Sequence, residues 1–365
     1  MLDRTFPIPA LPRIAFALLV CLTLGTAEAA DKKPTFTLAW SIYVGWMPWD
    51  YAHAKGIVDR WADRYGIAID VVQVNDYIES VNQYTAGQFD AVTVTNMDIL
   101  TIAAASGVDT TAVIVGDYSN GNDGVVVRDS ADLRSIRGQR VNLVELSVSH
   151  YLLARALDSV DMSERDITVV NTADADMVSA WVGTQVPALV TWNPMLAEIK
   201  ALPEANAVFD SSQIPGEILD LTVAKTDVLA THPEFGYALA GAWYETIALM
   251  YDEAKQAAVR GHMASAAGTN LASFDRQLDT TFMFQQPADG LAFVTSATPK
   301  QTMQRVAEFS FSKGLLGPMA PNAGFVGIEF ADGAVWGDTS NVQLRFTDHF
   351  MRQSQEQEST AAASR

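Results

Sequence analysis

"TFTLAWSIYVGWMPWDYAHAKGIVDRWADRYGIAIDVVQV" (residues 35–74) decides the fold. Its first ten residues are apolar and β-prone, a buried strand. Residues 49–66 place apolar and aromatic side chains at helical spacing and end at Gly66, and 67–74 form a second strand. A strand, a helix and another strand in so short a span predict a parallel pair with a crossover helix. The pattern continues through a helix at 76–88, a strand at 89–95, a helix at 96–107 and a strand at 110–119. That alternation predicts an α/β fold with a parallel sheet covered by helices on both faces.

The pattern restarts at "DGVVVRD" (123–129). A short basic turn leading into a strand spans 132–145, and a helix spans 149–162. Then come a strand at 166–172, a helix at 174–184 and a strand at 186–192. The segment 219–233 reads as a strand returning to the first unit, and 233–350 is almost entirely helical in pattern. Polar and small residues at 353–365 predict a disordered tail.

The N-terminus has the features of a signal peptide over residues 1–29. Arg4 and Arg13 are followed by the apolar stretch 14–25 and by the small-x-small sequence at 27–29. The only cysteine, Cys21, lies in that leader, and the apolar run around it does not fit a lipid-anchor signal. The mature chain is expected to be exported to the periplasm without disulfides or thiolate chemistry. Its net charge of −19 stays whole, because Asp3, Glu28, Arg4 and Arg13 cancel within the leader. Such a charge disfavours nucleic acid and anionic membranes as partners. It is compatible with a cationic ligand, but taken alone it is accounted for by solubility.

An ordered set of stretches resembles the substrate-binding proteins of ABC importers, in the nitrate/sulfonate/taurine type. The stretches are "GWMPWDYAHAKGI" (45–57), "AGQFDAVTV" (86–94), "NDGVVVRD" (122–129), "IRGQRVNL" (136–143), "SVSHYLLARAL" (147–157), "TADADMVSAWVGTQVPALVTWNP" (172–194) and "HPEF" (232–235). The resemblance implies a type II periplasmic-binding-protein fold of two doubly wound lobes with a ligand cleft between them. Lobe I is expected over 34–121 plus 220–350 and lobe II over 122–219. It further implies a monomer that hands a small solute to an ABC permease and its ATPase, with no cofactor. A ligand-sensing partner of a membrane receptor would use the same pocket. The thiamine-pyrimidine synthases of related fold rely on a cysteine-rich segment that this chain lacks.

Ligands of open α/β sheets bind beyond the carboxyl ends of the strands. The loops expected there are "VGWMPWD", "VNDY", "TVTNMD", "ELSVS" and "TWNP", and none contains Lys or Arg. The candidate ligand residues are Tyr43, Trp46, Trp49, Asp76, Thr95, Asn96, Asp123, Glu145 and Trp192, with Glu217 and Asp220 at the returning crossover. An anion would meet carboxylates there, whereas a planar cation would find aromatic faces and forked acceptors. The segment 41–56 also resembles a branch encoded beside urea carboxylase-type enzymes. That implies urea or guanidine, and the acidic loops favour guanidinium. Another amine or a sulfonate is the alternative solute.

Each candidate has a structural reading as well. Asp50, Asp76 and Asp98 stand where carboxylates cap helices, and Trp46 and Trp49 could pack between elements. No His or Cys spacing or Asp-rich loop suggests a metal.

Overall fold

The computed structural model describes residues 33–363, so the leader and Cys21 lie outside the described residues. Two sheets organise the chain. The first holds β1 (Thr35–Trp40), β2 (Ala68–Gln73), β3 (Ala91–Thr95) and β4 (Thr110–Ser119). The chain then crosses to build the second from β5 (Asp123–Arg128), β6 (Arg140–Leu143), β7 (Thr168–Asn171), β8 (Ala188–Trp192) and β9 (Ala205–Asp210). It returns to the first sheet as β10 (Leu219–Lys225).

The second sheet has the order β7-β6-β8-β5-β9. In the first, β1 pairs with β2 and β3 in parallel, and β10 inserts antiparallel between β3 and β4. Both sheets are therefore mixed, not parallel as the alternation predicts, because β10 and β5 enter antiparallel at the two crossings. Their central strands β3, β5, β8 and β10 are buried almost throughout, which explains their continuous apolar runs.

The C-terminal third differs from the sequence expectation in two ways. Short strands β11 (Thr281–Met283), β12 (Gly327–Glu329), β13 (Val335–Trp336) and β14 (Val342–Phe346) join the first sheet within a stretch expected to be helical. They are too brief to show an alternating pattern. The tail expected to be disordered is instead helical from His349 to Ala363. Its Gln, Glu and Ala residues are good helix formers, and Phe350 and Met351 anchor its first turn in the core.

Helices α1 (Met47–Ala54) and α2 (Ile57–Arg64) cover one face of the first sheet and pack on the long helix Pro233–Tyr251. That packing depends on close approach. A Cβ on Gly241 would stand 2.3 Å from the Trp61 ring. The Trp61 indole in turn donates to Glu245 at 2.7 Å, and Arg60 pairs with the same carboxylate. Replacing Gly241 by Ala gains about 1 kcal/mol of helix propensity, but overpacking costs about 1–3 kcal/mol. Because Trp61 is tethered, the cost should win: Gly241→Ala is expected to lower the urea midpoint. A neutral or stabilising result would show that the Trp61 ring swings aside freely.

Candidate functional site

The strand register brings the polar groups together. In the first sheet Asp220 of β10 is paired with Thr95 at the end of β3 on one side and with Asp117 of β4 on the other. In the second, Asp123 at the start of β5 faces Trp192 at the end of β8. Ser41 and Tyr43 follow β1, and Trp46 lies at the start of α1. A small cavity forms where these ends meet. It is lined by Tyr43, Trp46, Tyr77, Thr95, Asp123, Trp192 and Asp220, with Ser41, Val148 and Ile218. About 20 Å³ within it is open to the centre of a water-sized sphere.

Aromatic rings form most of its wall. Trp46 meets Tyr43 edge-on at 5.1 Å and Tyr77 at 5.5 Å, and Tyr77 meets Trp192 at 6.1 Å. Burial, together with nearby carboxylates, raises the Tyr43 and Tyr77 phenols well above their usual range, so both act as donors. Tyr43 donates to Asp117 at 3.0 Å and Tyr77 to Asp98 at 2.7 Å.

The acidic groups decide the electrostatics. Asp98, Asp117, Asp123 and Asp220 are all buried, and among the described residues none is paired with Lys, Arg or His. No Lys or Arg lines the cavity. Burial pushes Asp123 up to about 7, against a Ser119 hydroxyl that donates to it at 2.5 Å. Burial raises Asp117 and Asp220 as well, and these two lie close enough to share a proton. One Asp117 oxygen receives no hydrogen bond from an N–H or a hydroxyl, which leaves Asp220 as its polar neighbour, and the Trp46 indole N–H has no partner.

Asp98 accepts from Tyr77 and from the Thr95 hydroxyl at 2.8 Å. Burial raises it to about 6, while those two donors and the Val148 backbone N–H pull it back down. Val148 opens helix α5 (Val148–Asp158; α3 is Tyr77–Thr85 and α4 the single turn Asn96–Asp98). The positive end of α5 therefore already faces a carboxylate of the protein itself. Among the described residues no group of three or more His, Cys, Asp and Glu is arranged to hold a metal ion.

Several expected site residues stand elsewhere. Trp49 is fully buried against Trp243, with ring centres 5.4 Å apart, so it serves as packing. Asp76 is exposed and caps α3 by accepting from Glu79 N–H at 2.9 Å. Glu145 is exposed too. It lines an outer cleft of about 460 Å³ with Asp76, Tyr77 and Trp192, because Val144 is the last buried residue before the turn into α5. Asn96 holds the returning crossover: its side chain donates to Glu217 C=O and accepts from Leu219 N–H, each at 3.1 Å. The Glu217 carboxylate is satisfied by Tyr151, Arg155 and Arg305 and does not line the cavity.

Asp117 was missed by the sequence reading. Its signal is a lone charge beside Gly116 within the apolar strand "TTAVIVGDYS".

Two sheets joined by two crossings, with a cavity at the converging strand ends, make the architecture of a periplasmic binding protein. Residues 59–257, more than half of the chain, match the NMT1/THI5-like family, and the chain belongs to it. No curated protein matches it by sequence.

Solved structures share the fold. The alkanesulfonate-binding protein SsuA from Xanthomonas axonopodis pv. citri, bound to MOPS, has a TM-score of 0.64 at 17% identity, covering 79% of this chain and 96% of that one. The periplasmic nitrate-binding protein NrtA from Synechocystis PCC 6803 has a TM-score of 0.55 at 12% identity, covering 88% and 97%. A Candida albicans gene product described as having the generic periplasmic binding protein fold has a TM-score of 0.58 at 12% identity, covering 78% and 93%. Among the described residues no helix is long and apolar enough to cross a membrane.

The raised carboxylates set a pH dependence. Asp123 moves from 3.8 to about 7 on folding, so the folded protein keeps a proton that the unfolded chain releases. Stability from this group is full below about pH 4 and is lost as pH rises to 7. Each pKa unit corresponds to about 1.4 kcal/mol, which bounds the loss at about 4 kcal/mol. Without ligand, Asp123→Asn is expected to flatten the fall in thermal midpoint between pH 5 and pH 8 relative to wild type. Parallel pH profiles in the two proteins would contradict this assignment.

Proposed function

We propose that this protein is the periplasmic solute-binding component of an ABC importer and that it captures guanidinium. In this reading residues 34–121 with 220–350 form one lobe and 122–219 the other. The protein then acts by binding and presenting its solute to a permease rather than by catalysis.

The observation that carries the ligand class is the set of buried carboxylates without a basic partner. A carboxylate moved out of water costs several kcal/mol unless it is neutralised. Protonation does this in the free protein, and a bound cation would do it while releasing the proton. The aromatic wall adds roughly 0.5–2 kcal/mol for a cation over a ring face. A sulfonate or nitrate placed about 4 Å from one ionised carboxylate would instead lose about 4 kcal/mol at an effective dielectric constant of 20. An anion escapes that repulsion only by keeping the carboxylate protonated, which for a group near 7 costs about 1.4 kcal/mol at pH 8, so the sulfonate alternative is disfavoured above neutral pH. A planar cation with in-plane N–H groups fits acceptors such as Asp123 and Asp220 better than a quaternary amine, which offers no donors.

Urea is the second reading, and one observation favours it: the unpartnered Trp46 indole N–H could donate to a urea carbonyl.

Calorimetry with guanidinium, urea, choline and taurine separates these solutes. Guanidinium is expected to bind more tightly at pH 8 than at pH 6, because protons compete for the same carboxylates. Asp123→Asn should weaken it by about ten- to a hundredfold, the equivalent of a hydrogen bond to a charged group. Taurine binding without guanidinium binding would sink the cation reading. Urea binding that ignores both pH and Asp123→Asn would replace guanidinium with a neutral amide.

A further inference from the structure

The inner cavity and the outer cleft are neighbours with a shared wall. Tyr77 and Trp192 line both spaces. Their rings meet edge-on, with centres 6.1 Å apart and planes at 76°. One half of the wall comes from each sheet: Tyr77 stands at the start of α3, packed on the first sheet, and Trp192 ends β8 of the second.

Both halves are held in place. The Tyr77 hydroxyl donates to Asp98 at 2.7 Å, and its oxygen accepts from Thr95 N–H at 3.0 Å. Trp192 is fixed by its ladder partner Asp123, and its side chain is buried. The other lining residues, Tyr43, Trp46, Thr95, Asp123 and Asp220 among them, are themselves buried. Tyr77 and Trp192 are the residues common to the two spaces, so a substituent that reaches from the cavity into the outer cleft has to pass them.

We propose that Tyr77 and Trp192 form a two-part wall that sets the size of the solute, confining the site to an unsubstituted planar molecule and rejecting its N-alkyl derivatives. The inference rests on the reading of the inner cavity as the solute site. The cavity is too small to absorb an alkyl chain, and close-packed surroundings resist added methylenes. Beyond the wall, by contrast, the cleft of about 460 Å³ has room for one. Shortening Trp192 should join the two spaces, with the guanidinium end of a longer solute staying among the carboxylates and its alkyl end lying in the cleft. Trp192 is thus a specificity-determining residue as well as an aromatic face.

The test compares guanidinium with n-propylguanidinium by calorimetry in wild type, Trp192→Ala and Trp192→Leu, with thermal melts to verify folding. Wild type is expected to prefer guanidinium by about a hundredfold or more, since size discrimination in a closed pocket reaches that order. In both variants the ratio should fall below about tenfold, chiefly because propylguanidinium binds better than it does to wild type. Trp192→Leu keeps apolar bulk and provides the measurement if Trp192→Ala does not fold.

A wild type that binds the two cations equally, or variants that keep the wild-type ratio, would overturn the wall while leaving the cation reading intact. If urea binds instead of guanidinium, the same ratio is read with urea and N-propylurea. Discrimination that disappears in the variants then supports the wall although the charge reading has failed. Binding of none of the four probes overturns the wall together with the site.

Discussion

The insertion of β10 between β3 and β4 is the constraint on which the site depends. A strand entering antiparallel between two others must satisfy both ladders at once. Its register places Asp220 next to Thr95 on one side and Asp117 on the other. Asn96 fixes the entry point by bonding the backbone at Glu217 and Leu219. Two carboxylates thus become neighbours through backbone pairing rather than mutual attraction. The second sheet then brings Asp123 and Trp192 to the same place, with Asp123 held by Ser119 at the first crossing.

Carboxylates forced together in this way have few ways to be stable. The structure holds them with hydroxyl donors from Tyr43, Ser119, Tyr77 and Thr95, and Asp117 and Asp220 lie close enough to share a proton. Hydroxyls lower the cost of burial but do not cancel the charge, which is why Asp123 is pushed up to about 7. Proteins of this fold described as binding a sulfonate or nitrate face the opposite problem, that of stabilising an anion. Here Ser147 caps the N-terminus of α5, and the Val148 N–H is turned toward the protein's own Asp98. The shared backbone supplies the meeting point of the strand ends, and the side chains placed there set the charge of the site.

The alternation of strands and helices was legible in the sequence because it rests on periodicity, and the loops at the strand ends were legible because binding sites in α/β sheets gather there. What failed was the direction of individual side chains. Trp46 and Trp49 are three residues apart on one turn, yet Trp46 lines the cavity and Trp49 enters the packing against Trp243. Glu145 looked conspicuous before a helix start, but the turn carries it outward. Asp117 looked unremarkable because it sits within a strand, and only the β10 pairing reveals its neighbour. The short strands β11 to β14 have no periodic signal, since their pairing is set by tertiary contacts.

The contacts linking the two sheets show how the cavity is kept closed. Glu217 joins Arg155 of α5 to Arg305 of the helix Thr298–Ser312, and Lys313 reaches Glu164. On another side Asn122 and Asn193 donate to Thr281 and Thr280. Arg305 is half exposed, but Glu217 is buried and depends on its arginine donors for neutralisation. These links fix how the two sheets meet around the cavity. At the cavity carboxylates, by contrast, a cation could replace costly protons and face both sheets at once. A solute that neutralises Asp220 from one sheet and Asp123 from the other would favour the closed form by its differential affinity for it. The same charges that make the free site unfavourable would then supply the drive for closure.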